Sequence, residues 1–139
     1  MHRLFVYGTL RHPPLLAALV GRDVQVAPAV LAHHRAARLR GAQYPGLVPA
    51  PGAVAVGGLA MIEAGEVAVL DRFEGDQYTR TPVTVHSGDG GEELAAEVYL
   101  LTGESRSLVE ADDWDFDAFV AGAATQWVRG ARPGDQHPR

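Results

Sequence analysis

The chain reads as an α+β domain whose sheet curls on itself or closes into a small barrel. Three features predict this: many short strand-like runs, glycines set inside those runs where a sheet must bend, and only two or three short stretches with helical spacing. At 139 residues, one domain is expected over residues 1–129. The remaining polar stretch, 130–139, contains two prolines and reads as a frayed tail. Pattern alone leaves the topology open.

Leu4 to Tyr7 is a short buried strand that ends at Gly8. Pro13-Pro14 then stands where a helix starts, with Leu15, Leu16, Leu19 and Val20 at helical spacing and Gly21 as its stop. Val24 to Leu31 is rich enough in β-formers for a strand, and Pro28 within it suggests an edge or a bulge. Residues 35–40 alternate weakly. Gly41 to Gly57, full of Gly, Pro and Ala, reads as a long loop around Tyr44-Pro45-Gly46. Val54 to Ile62 follows as a strand interrupted by Gly57-Gly58, a pair suited to a bulge or tight bend.

Val67, Leu70 and Phe73 fall three apart, so a short helix ends near Gly75 and carries Glu74 at its end. Tyr78 to His86 and Leu94 to Leu101 are strands joined by Ser87-Gly88-Asp89-Gly90-Gly91, the clearest hairpin signal in the chain. Residues 112–128 read as one acidic-capped helix with Trp114, Phe119, Ala123 and Trp127 as packing residues, which puts both tryptophans on the final helix as core anchors.

Composition excludes several function classes. A net charge of -5 offers no basic footprint for nucleic acid. With no cysteine and no lysine there is no thiolate, disulfide, Schiff base or phosphate-binding Walker loop. No apolar run is long enough to span a membrane, and the first residues lack a secretory leader's apolar core, so a cytoplasmic protein is expected. His33-His34 and the aspartates at 112, 113, 115 and 117 have no recognised metal-ligand spacing, and neither a metal nor another cofactor is indicated.

Two segments carry the chemistry. At Tyr7-Gly8-Thr9-Leu10, a glycine directly after a strand lets the chain turn sharply and present successive N–H groups to an anion, with the nearby helix start adding its partial positive charge. The plainer reading is a strand-to-helix turn that needs glycine. Glu74, just behind Phe73, is placed to enter a partly apolar pocket where desolvation would tune it for proton transfer; the plainer reading is a solvated glutamate at a helix end. Asp71 reads as a helix-surface or capping residue.

Taken together, Tyr7-Gly8-Thr9-Leu10, Leu70-Asp71-Arg72-Phe73-Glu74-Gly75 and Tyr78-Thr79-Arg80 resemble the gamma-glutamylcyclotransferase superfamily, in particular its small AIG2-like branch that includes gamma-glutamylamine cyclotransferase. The likeness covers roughly residues 3–101. It implies a small mixed β-barrel with flanking short helices, a small-molecule γ-glutamyl substrate in a cavity at the Tyr7 to Leu10 loop, and Glu74 as general acid/base. It also implies cyclisation of the γ-glutamyl group to 5-oxoproline with release of an amine or amino acid. Gly8, Thr9 and Leu10 would bind the substrate through backbone N–H groups, and Tyr7, Tyr44 and Tyr78 would line the pocket. The chain departs from the branch at His12-Pro13-Pro14, where a glycine and an Asn-His pair are usual, and at Ala32-His33, where a glycine is often found. The alternative is a non-catalytic module of the same fold that binds a small acidic metabolite or a peptide end. The leaving group and the oligomeric state are not readable from the sequence.

Overall fold

The computed structural model describes residues 1–88 and 91–131, and the strands among them close on one another. Strand β1 (His2–Val6) runs antiparallel to β3 (Pro45–Ile62), which runs antiparallel to β2 (Val26–Leu39). β2 meets β4 (Tyr78–Ser87) at Ala29 and Val30, and β4 forms a hairpin with β5 (Glu93–Leu101). β5 returns to β1 in parallel through Leu4↔Glu97 and Phe5↔Val98. Among the described residues this circuit is a closed five-stranded mixed barrel. A further strand, β6 (Val109–Asp113), is attached outside it to the far end of β2.

Alternation along β1 separates two cores, because successive side chains of a strand point to opposite faces. Phe5 joins Leu31, Leu47, Leu59, Val85 and Val98, a cluster drawn from all five strands that fills the barrel interior. Leu4 and Val6 face outward to the helices α1 (Pro13–Val20), α2 (Ala64–Glu74), α3 (Phe116–Ala121) and α4 (Ala124–Gly130). There Leu15, Leu16 and Leu19 of α1 pack with Val67, Leu70 and Phe73 of α2 and with Phe119 and Trp127. α1 ends on Gly21 in the left-handed conformation, and α2 opens with a reciprocal capping box between Glu63 and Glu66. No helix among the described residues is long and apolar enough to cross a membrane.

Of the stretch expected as a loop from Gly41 to Gly57, only residues 41–44 turn; from Pro45 on it is strand, the larger part of the 18-residue β3. Its prolines disguised it, since proline removes a ladder donor. They are tolerated here because the β2–β3 ladder shifts register beside Pro49, between Ala32 and His34. At that bulge His33 adopts φ 61° and accepts a hydrogen bond from the Gly52 amide at 3.2 Å. Pro28 lies opposite Gly58 within the regular ladder, so the irregularity falls five residues later than proline placement suggested.

Gly57-Gly58 keeps regular register too. The pair answers crowding: a Cβ at Gly57 would overlap the Val6 carbonyl oxygen and one at Gly58 would overlap Val26. The hairpin at Ser87 forms as expected, with residues 89 and 90 outside the described set. The single helix expected over 112–128 is β6 followed by α3 and α4. Gly122 divides the helices, its amide folding back to the carbonyls of Ala118 and Phe119. Trp114 therefore sits between β6 and α3 and only Trp127 is helical. Gly130 closes α4 and Ala131 is buried, while the rest of the expected tail lies outside the described residues.

Because the atom a Gly57 side chain would meet is backbone, Gly57→Ala forces β1 and β3 apart. A loss of about 1–3 kcal/mol is expected, as for overpacking generally. Urea unfolding of the purified variant measures it.

Candidate active site

Strand β1 leaves the barrel at Gly8, and the start of β3 takes its place along β5. The pairing on β5 passes from Phe5↔Val98 to Leu47↔Leu100. At this seam lies a small cavity of about 20 Å³, lined by Phe5, Val6, Tyr7, Gly8, Thr9, Leu10, Tyr44, Pro45, Glu74, Tyr78 and Tyr99. The structure thus brings together every residue that the sequence nominated: Glu74, the Tyr7 to Leu10 loop, Tyr44 and Tyr78.

The loop is a 3-10 turn, Thr9–Arg11, with Arg11 N–H donating to Gly8 O at 3.0 Å and His12 N–H to Thr9 O at 3.1 Å. In such a turn the first amides precede the first bond, so the turn itself does not consume those of Gly8, Thr9 and Leu10. α1 begins only at Pro13, which makes the cradle a property of this turn rather than of the α-helix start. Gly8 is required by space, since a Cβ there would lie 2.8 Å from Pro45 Cγ.

Glu74 is the last residue of α2 and is only 7% exposed. Phe73 and Leu70 on the same helix are buried in the outer core and fix which way the last turn faces. Gly75 follows with φ 75°, a conformation that favours glycine, and turns the chain away immediately after the carboxylate. A residue with a large polar group, at the end of a packed helix and buried in a cavity wall, is not a solvated helix end.

The tyrosines do more than line the wall. Tyr7 Oη donates to the Tyr99 carbonyl at 2.6 Å and accepts from the Leu47 amide, bridging β5 and β3 at the seam where β1 departs. Tyr78 Oη donates to the Pro45 carbonyl at 2.6 Å, and Tyr44 Oη to Gln77 Oε1 at 2.8 Å. Each hydroxyl proton is committed to a protein acceptor. A ligand would meet ring surface from these three residues beside the backbone N–H groups of the Gly8 to Leu10 turn. Burial pushes the Tyr7 hydroxyl well above its ordinary pKa, the Glu74 charge adds to this, and the Leu47 amide opposes it. The phenol stays protonated at neutral pH.

Tyr99 was not singled out by the sequence, and Asp71 was read as a surface or capping residue. Tyr99 lines the cavity and donates from Oη to Asp71 Oδ1 at 2.7 Å. Burial, the Asp71 hydrogen bond and the Glu74 charge raise its pKa, so it too remains a neutral donor. The signal was present in the hairpin: counting back from the turn places Tyr99 opposite Arg80. Trp127 covers the adjoining wall, 6.0 Å from the Tyr44 ring and 6.1 Å from Phe73, with Nε1 donating to Gln43 Oε1 at 2.8 Å. Among the described residues no group of three or more His, Asp or Glu side chains is placed to hold a metal ion.

A family model described as "Gamma-glutamyl cyclotransferase, AIG2-like" matches residues 4–116. The chain is 30% identical to AIG2-like protein A of Arabidopsis thaliana over 118 residues, 84% of this chain and 71% of that protein. It is 34% identical to AIG2-like protein C of the same plant over 116 residues, 82% of this chain and 66% of the relative. A solution structure of an Arabidopsis thaliana protein superposes with a TM-score of 0.72 at 27% identity, covering 92% of this chain and 78% of that one. A structure named gamma-glutamyl cyclotransferase shares the fold, with a TM-score of 0.66 at 14% identity over 99% of this chain and 92% of its own.

Removing either buried staple at the seam leaves a carbonyl without its donor. Tyr7→Phe and Tyr78→Phe are each expected to lower stability by about 1–3 kcal/mol. Chemical denaturation reads this directly, and a loss near zero would show that the seam closes without them.

Proposed function

The chain belongs to the AIG2-like gamma-glutamyl cyclotransferase family, and from that premise we propose that it cyclises a γ-glutamyl group to 5-oxoproline in the cytoplasm, with Glu74 as general acid/base. The observation that carries this reading is the burial of Glu74 in the same cavity as the amides of the Gly8 to Leu10 turn. In this reaction the substrate's α-amine attacks its own γ-carbonyl carbon. Glu74 takes the proton from the attacking nitrogen, whose reference pKa is about 8, and delivers it to the departing nitrogen as the amide C–N bond breaks. The new ring is the lactam of 5-oxoproline, and the free amine or amino acid leaves.

One carboxylate suffices because the proton removed in the first step is the one required in the second. No covalent enzyme intermediate is needed, in keeping with a chain that has no cysteine or lysine and whose three serines all lie away from the cavity lining. The backbone amides of Gly8, Thr9 and Leu10 supply donors to the substrate carboxylate or to the tetrahedral oxyanion. Holding amine over carbonyl accounts for much of the remainder, since orientation in intramolecular reactions is worth on the order of 7–11 kcal/mol at best. The ring faces of Tyr7, Tyr44 and Tyr78 shape the space around the glutamyl chain.

The test is release of 5-oxoproline from a panel of γ-glutamyl amino acids, γ-glutamyl-ε-lysine and glutathione. Turnover of at least one member is expected. Glu74→Gln should slow it by roughly 100- to 10,000-fold, the usual worth of a general acid/base, while ligand binding persists. Equal activity in the variant would remove Glu74 from the mechanism. Binding without turnover in the wild-type protein would favour a non-catalytic module.

A further inference from the structure

We propose that Asp71 is a positioning residue for Glu74, holding the last turn of α2 against the barrel through an ionic chain that reaches β1; the catalytic part of this inference rests on the function proposed above. Asp71 and Glu74 are three residues apart, so their side chains leave the same side of the helix. The Asp71 carboxylate takes three bonds: Tyr99 Oη at 2.7 Å, Arg80 Nε at 3.0 Å and Arg80 Nη2 at 3.3 Å. Arg80 continues to Glu97 Oε2 at 2.6 Å, and Glu97 Oε1 meets His2 Nδ1 at 3.0 Å. One helical turn is thereby tied to β4 by Arg80, to β5 by Tyr99 and Glu97, and to β1 by His2.

The arrangement is poorly explained as a stabilising ion pair. The side chains of Asp71 and Arg80 are 41% and 31% exposed, and pairs so open to solvent add little to stability. Their geometry is more informative, because a forked guanidinium on a carboxylate fixes orientation as well as distance. The apolar anchors Leu70 and Phe73 hold the helix down but permit small rotations that directional bonds resist. The α-helix ends directly after Glu74: the Gly75 amide donates to the Asp71 carbonyl, and the chain passes at once into a tighter 3-10 turn over Gly75–Gln77. Tyr99 also joins this chain to the cavity, since its carbonyl receives Tyr7 while its hydroxyl receives the pull of Asp71.

The experiment compares Asp71→Ala, Asp71→Asn and Tyr99→Phe with the wild-type protein, assayed well below the melting temperature of each. Displacement of a reacting group by a fraction of an ångström costs on the order of 10- to 100-fold in rate, and that is the fall in kcat expected for Asp71→Ala. KM should change by less than about threefold, because glutamyl binding is left to the loop. Asp71→Asn, which keeps an oxygen for Tyr99 and Arg80, should restore part of kcat. Amide hydrogen exchange supplies a readout that needs no turnover: the amides of Arg72, Phe73 and Glu74 should exchange about tenfold faster in Asp71→Ala while those of β1 and β3 stay unchanged.

Unchanged exchange at those three amides overturns the tether. Faster exchange with wild-type kcat overturns its catalytic purpose, as does a parallel loss of kcat in Asp71→Asn and Asp71→Ala accompanied by unfolding. If the wild-type protein turns over no γ-glutamyl compound, the proposed reaction and Asp71's catalytic role fall with it, and the exchange measurement alone decides whether Asp71 holds the turn.

Discussion

The hydroxyl of Tyr7 closes the barrel where its strands change places. β1 accompanies β5 as far as Val98 and then departs at Gly8, and the start of β3 resumes the ladder at Leu100. Between these points the Tyr7 phenol donates to the Tyr99 carbonyl and accepts from the Leu47 amide, doing with a side chain what a strand does with its backbone. Tyr78 grips the Pro45 carbonyl from the other side. Pro45 in turn sits so close to Gly8 that no side chain fits there. The departure of one strand, the entry of another and the sharp turn between them thus create the cavity, and α2 only has to deliver a carboxylate to it.

This origin explains the character of the cavity wall. Three of its tyrosines spend their protons on the scaffold, and the same wall holds the amides of the Gly8 to Leu10 turn and the buried Glu74 carboxyl group. Burial and the Glu74 charge keep the Tyr7 phenol neutral, and burial, the Asp71 hydrogen bond and the Glu74 charge do the same for Tyr99.

The parts legible in the sequence were those specified by neighbours in the chain. α1 and α2 announced themselves by leucine and phenylalanine spacing between a proline start and glycine stops, and the β4–β5 hairpin by its glycine-rich turn. The cavity was legible because the Tyr7 to Leu10 turn and the Phe73-Glu74-Gly75 end are each short and continuous. Where partners are distant, local pattern misled. The first half of β3 carries prolines that argue against a strand, and only its pairing with β2 and the bulge at His33 make room for them. Residues 112–128 look helical, yet pairing of Asp113 with Ala37 of β2 draws the start of that region into β6 and Gly122 breaks the rest. Asp71 resembled a surface acid because its partners, Arg80 and Tyr99, reach it across a helix and two strands.

The most direct measurement is a crystal structure of Glu74→Gln with 5-oxoproline bound. The lactam should lie at the seam, with its nitrogen or carbonyl within hydrogen-bond distance of residue 74 and an oxygen on the amides of Gly8 to Leu10. A folded protein whose cavity stays empty at saturating 5-oxoproline, or which binds it elsewhere, would contradict the assignment of this cavity to the glutamyl group.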